Sequence, residues 1–85
     1  MKTLIQVTEK DILDGEDSTE RCPVALAIKK KLSFKKLLIR VLPDCIEVSG
    51  KTIQSPRSVR RFVHHYDHDE SYDNIKPFNF YLRIP

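Results

Sequence analysis

The chain has 85 residues, 40% of them apolar and 32% charged, and a formal net charge of +3. That length makes one domain, and so small a domain buries only about 60–65% of the surface its unfolded chain exposes, which leaves little depth for an enclosed substrate pocket. The composition excludes an intrinsically disordered chain, and no apolar run approaches the roughly 18 residues of a membrane helix.

The opening "MKTLIQVTEKD" has too short an apolar stretch for a secretory signal, so a cytoplasmic protein is expected. Lys2 to Thr8 reads as a strand with Ile5 and Val7 on one face. Thr8 is then a candidate N-cap for a short turn of helix, "EKDILDG". Asp11, three residues on, is a weak relative of a capping box, and Gly15 is a natural stop. "EDSTER" reads as a loop.

"CPVALAIKKKLSF" carries the clearest helix start. Pro23 suits the first turn, where its missing N–H costs nothing. Val24, Ile28 and Leu32 recur every four residues, Ala25 and Ala27 allow close packing, and Lys29 to Lys31 suit the negative end of the helix dipole. "KLLIRVL" reads as a strand ended by a turn at Pro43-Asp44. "CIEVSGKTIQS" reads as a hairpin that turns at Ser49-Gly50, with Ile46, Val48 and Ile53 toward the core.

Ser55-Pro56 opens the next helix by the logic of an N-cap followed by a first-turn proline. Val59, Phe62, Val63 and Tyr66 form an apolar stripe at i, i+3, i+4 and i+7. At about 100° per residue, Arg57, Arg61, His64 and His68 fall on the opposite side, with Arg60 at its flank. "DHDESYDN" reads as a polar loop. "KPFNFYLRIP" closes the chain as a strand in which Phe78, Phe80, Leu82 and Ile84 alternate with Asn79, Tyr81 and Arg83. The element order is β-α-α-β-β-β-α-β. It predicts a small two-layer α+β domain: an antiparallel or mixed sheet of about four to five strands with two main helices on one face.

Charge is unevenly distributed along this order. Six acids lie between Glu9 and Glu20, whereas ten bases against only Asp44 and Glu47 lie between Cys22 and Arg61. The middle of the chain therefore offers a basic surface to an acidic partner, unless folding brings the blocks together. Arg57, Arg60, Arg61 and His64 are the candidate contact residues. Arginine grips phosphate or carboxylate with two parallel hydrogen bonds, which lysine does not. Lys35, Lys36 and Arg40 are candidates to extend the patch. Against this stands the plain reading that charged residues opposite an apolar stripe are simply solvated. The acidic stretch Glu9–Glu20 has the same two readings, a dock for a basic partner or a soluble face.

"HHYDHDE" puts His64 and His68 four apart, as in helical zinc sites, with Asp67, Asp69 and Glu70 nearby. HExxH is absent, and histidine near a helix C-terminus is favoured by the dipole alone, so no metal is assigned and the pair stays a weak candidate. Cys22-Pro23 places a thiol at a helix N-terminus, where thiolates are favoured. Without a neighbouring base in the chain, an N-cap or core role is the simpler expectation. Cys45 reads as core, and with no CxxC pair the two cysteines read as reduced thiols. Gly15 and Gly50 are the only glycines, too few for a glycine-rich phosphate loop. No catalytic signature and no cofactor motif is present.

Ile12, Gly15, the run Cys22-Pro23-Val24-Ala25-Leu26-Ala27-Ile28, and the ending Pro77-Phe78 with Phe80 resemble a set of small proteins from phages and bacterial mobile elements. That set has an "HIxxG…CPxAxAI" opening and a "PFxF" ending. Asp11 stands here in place of the histidine. The resemblance implies an accessory protein, including the class of stoichiometric inhibitors that act on a host machine. The expectation is a non-enzymatic binding protein whose partner is a host or phage protein. Direct nucleic-acid binding by the Pro56–Tyr66 face is the alternative. No membrane is involved, and homodimerisation through an edge strand, Lys2–Thr8 or Phe78–Ile84, remains open.

Overall fold

A computed structural model describes residues 2–16, 18–32, 38–68 and 75–83, the side chains of Asp67 and His68 excepted. Eight elements follow in the expected order: β1 (Lys2–Val7), α1 (Glu9–Asp14), α2 (Pro23–Lys31), β2 (Ile39–Val41), β3 (Cys45–Val48), β4 (Lys51–Gln54), α3 (Arg57–His68) and β5 (Phe78–Arg83). The α+β class holds, and every strand pairing is antiparallel. The five strands are shared between two sheets, β1-β5 and β2-β3-β4. β2 is shorter than its sequence suggests, because Leu38 is exposed and outside it, and Ser33–Leu37 lie outside the described residues.

Period-two alternation sets the register of the first sheet. Thr3 faces Leu82, Ile5 faces Phe80 and Val7 faces Phe78 on the inner row, while Lys2, Leu4 and Gln6 face Arg83, Tyr81 and Asn79 on the outer row. Ile5, Val7, Phe80 and Leu82 are buried. α2 packs against β1, β2 and α1. Its Val24, Ala25, Ala27 and Ile28 join the strand residues in one core with Ile39, Val41, Ile46 and Val48. α3 closes that core with Val59, Phe62 and Val63. Phe62 stands 4.9 Å, ring to ring, from Phe78 on the inner row of β5. Fully burying a side chain of this size contributes about 1.5–3 kcal/mol, so the stripe on α3 fixes the rotation of that helix.

The hairpin turn needs its residues for backbone reasons. Ser49 has φ 49° and Gly50 φ 86°, the pair of positive angles that matches the twist of a two-residue hairpin. Gly15 has a different reason. A Cβ there would sit 2.6 Å from Pro23 Cδ and 2.9 Å from the Asp11 carbonyl oxygen. Gly15 thus lets the link after α1 pass against the first turn of α2.

The two X-Pro helix starts come out differently. Cys22 is the N-cap of α2, its Sγ accepting from the Ala25 N–H at 3.4 Å, with Pro23 in the first turn. At α3 the expected Ser55 cap is not made. Pro56 holds the capping position, its carbonyl accepting from the N–H groups of Val59 and Arg60. Ser55 Oγ is buried without a hydrogen-bond partner among the described residues. The physical cause is where the helix begins. Starting at Arg57, it leaves Ser55 one residue too early for its hydroxyl to reach the second or third helical N–H.

Candidate basic interface on the third helix

Helix α3 positions the candidate contact residues through what it buries. With Val59, Phe62 and Val63 in the core, Arg57, Arg60, Arg61 and His64 are all exposed. Tyr66, half-buried, stacks on Phe62 at 5.9 Å and extends the anchored side by a turn. The His64 ring meets the His65 ring edge-on at 5.7 Å. Among the described residues Arg57, Arg60 and Arg61 make no ion pair; the two ion pairs found are Lys30–Asp11 and Arg40–Glu47, each at 3.1 Å.

Those two ion pairs neutralise part of the basic middle of the sequence. Arg40 and Glu47 face each other across β2 and β3, so Arg40 is already occupied and does not extend the patch as an unpaired cation. Lys35 and Lys36 lie outside the described residues. The helix backbone does continue to His68, but the His68 side chain and the carboxylates of Asp67, Asp69 and Glu70 are outside the description. Among the described residues no three histidine, cysteine or carboxylate side chains gather in a metal-binding cluster.

The capping box at α1 is more complete than its sequence suggests. Thr8 donates from its backbone N–H and from its hydroxyl to Asp11 Oδ2, both at 2.9 Å, and the Asp11 N–H donates to Thr8 Oγ1 at 3.3 Å. Lys30, from α2, donates to both carboxylate oxygens at 3.1 and 3.3 Å. Burial pushes the Asp11 carboxyl upward, but the Thr8 backbone and hydroxyl bonds and the Lys30 ammonium outweigh it and hold the pKa below the ordinary value. Lys30 was not a candidate on sequence, since nothing in the spacing of residues nineteen apart announces the bond. A cleft of about 490 Å³ opens beside this pair, lined by Lys10, Asp14, Glu16 and Arg21 among others. Its charges of both signs set up no single-sign field, and the Asp11–Lys30 bond within its lining is structural.

The thiols are structural in geometry. Cys22 is buried and caps α2. Cys45, expected in the core, is only half-buried at the start of β3. Its thiol pKa is raised by desolvation and by the Asp44 and Glu47 carboxylates, which disfavours the reactive thiolate. No helix of the described residues is long and apolar enough to cross a membrane. No protein-family model matches the chain, and neither a curated protein nor a solved structure gives a significant match.

Proposed function

We propose that this is a non-enzymatic, cytoplasmic binding protein that docks the exposed basic face of α3 onto an acidic surface of a partner protein. The supporting observation is that Arg57, Arg60 and Arg61 stand exposed on a helix held rigid by its buried stripe, with no ion pair among the described residues. Holding the guanidinium groups on a packed helix lowers the entropy cost of engaging carboxylates in paired hydrogen bonds. His64 adds a donor one turn further along. The resemblance of the Cys22–Ile28 run and the Phe78–Phe80 ending to phage and mobile-element proteins favours a host or phage protein as partner. In that setting the protein is a stoichiometric inhibitor that covers a nucleic-acid site or a defence machine. Direct binding of nucleic acid by the same arginines is the second reading, favoured by the same bidentate geometry.

The test is capture from host lysate with the wild type and with Arg57→Glu/Arg61→Glu, each with and without nuclease. A single protein recovered by the wild type in both conditions, and lost by at least about tenfold with the variant, supports the proposal if circular dichroism shows the variant folded. Recovery unchanged by the charge reversal removes α3 as the docking face. Recovery that depends on nucleic acid transfers the assignment to the second reading.

A further inference from the structure

The free edge of β5 points to a different partner. Among the described residues the β1-β5 sheet has two strands, and an isolated two-stranded sheet is marginal in water. Among the described strands β5 has one neighbour, β1, so its other edge carries backbone groups that the sheet itself does not pair. Residues Asn79 to Arg83 make no backbone hydrogen bond to any described residue other than those in their ladder with β1. The outer edge of β2, by contrast, is met by the loop before α2, with the Val41 N–H donating to the Thr19 carbonyl at 2.7 Å. β5 also lacks the usual devices that blunt an edge. It has no proline and no inward-pointing charge, and its one charged residue, Arg83, is at its end. Tyr81, in its middle, is 62% exposed.

We propose that a second copy of this chain pairs with β5 edge to edge, antiparallel, about a twofold axis at Tyr81. The register supplies the complementarity. Residues opposite each other then sum to the same number, so Asn79 meets Arg83 of the second copy, Phe80 meets Leu82, and Tyr81 meets Tyr81. No like charges face one another, the inner apolar row continues across the axis, and two exposed phenol rings meet at the centre. The product is a four-stranded sheet, β1-β5-β5-β1, of ordinary size, with an isologous interface that closes at two copies.

Sedimentation equilibrium over a concentration series tests this. The wild type is expected to dimerise, and Tyr81→Glu, which sets two carboxylates opposite each other at the axis, is expected to weaken dimerisation by at least about tenfold. Tyr81 is exposed, so far-UV circular dichroism should not change. A second variant covers the case in which Tyr81→Glu does unfold. Opposite Cα atoms in an antiparallel pair lie about 4.5–5.5 Å apart, within disulfide reach. Tyr81→Cys in a Cys45→Ser background should therefore form a linked dimer on mild oxidation, whereas Leu13→Cys, at an equally open position on α1, should not. A wild type that stays monomeric throughout overturns the proposal. So does a dimer that survives Tyr81→Glu, or one whose Tyr81→Cys form links no faster than Leu13→Cys.

Discussion

Asp11 shows how much one side chain can connect. Its carboxylate ties the first turn of α1 to the chain before it through Thr8, and ties α1 to α2 through Lys30. Asp11 is 8% exposed and Lys30 57% exposed, so the ammonium end reaches water and the carboxylate end does not. Asp11→Ala removes three donors' acceptor at once and is expected to cost about 1–3 kcal/mol, measured by urea unfolding at neutral pH. The sign of the pH dependence follows from the lowered pKa. Stability contributed by Asp11 is fully present above its unfolded-state pKa and is lost as pH falls through the depressed folded value. The gap between wild type and Asp11→Ala should therefore be constant near neutrality and shrink in acid, below the ordinary carboxylate range. A gap that is unchanged in acid would show that the carboxylate's charge contributes nothing. The reciprocal cap was half legible, because Thr8 and Asp11 stand three apart. The bond to Lys30 was not, because it depends on how α1 folds back on α2.

At the scale of elements, the sequence carries the apolar rows and leaves their ends open. The stripe of α3, the alternation of β1 and β5 and the Ser49-Gly50 hairpin are local patterns, and each is realised where its spacing puts it. Helix starts depend on a single residue of phase. Cys22-Pro23 and Ser55-Pro56 are the same signal, yet the first thiol caps and the second hydroxyl is stranded. The division of five strands into two sheets was not legible either, since strand order depends on contacts between distant segments. The stranded hydroxyl gives a direct test. Replacing a working N-cap by alanine costs about 1 kcal/mol. Ser55→Ala instead removes a buried hydroxyl with no hydrogen-bond partner among the described residues, and relieving such a group is neutral or favourable. Thermal unfolding should find Ser55→Ala at least as stable as the wild type, while Thr8→Ala is destabilised. A Ser55→Ala protein that loses as much as Thr8→Ala would restore Ser55 as a cap.

For the whole molecule, folding redistributes the charge blocks of the sequence. Asp11 takes up Lys30 and Glu47 takes up Arg40, while Lys29 donates to the Glu20 carbonyl. The two ion pairs leave Arg57, Arg60 and Arg61 as an exposed basic feature without an ion pair among the described residues. The candidate residues were readable because helical phase alone separates Arg57, Arg60, Arg61 and His64 from Val59, Phe62 and Val63. The nature of what they meet is a matter of the partner's charge density, and salt reads that quantity. Duplex nucleic acid holds condensed counterions, so each phosphate contact adds about 0.9 to the slope of log affinity against log salt. Three arginines on phosphates would give a slope of about −2.7, and Arg61→Ala would lower it by about one. An acidic protein surface holds no such condensed layer. Its attraction is screened only over a Debye length of about 8–10 Å near physiological salt. The proposed protein partner therefore predicts a shallow slope with the captured partner, together with a large loss on Arg57→Glu/Arg61→Glu. A slope near −2.7 that falls by one with Arg61→Ala would place phosphates, not carboxylates, against the helix.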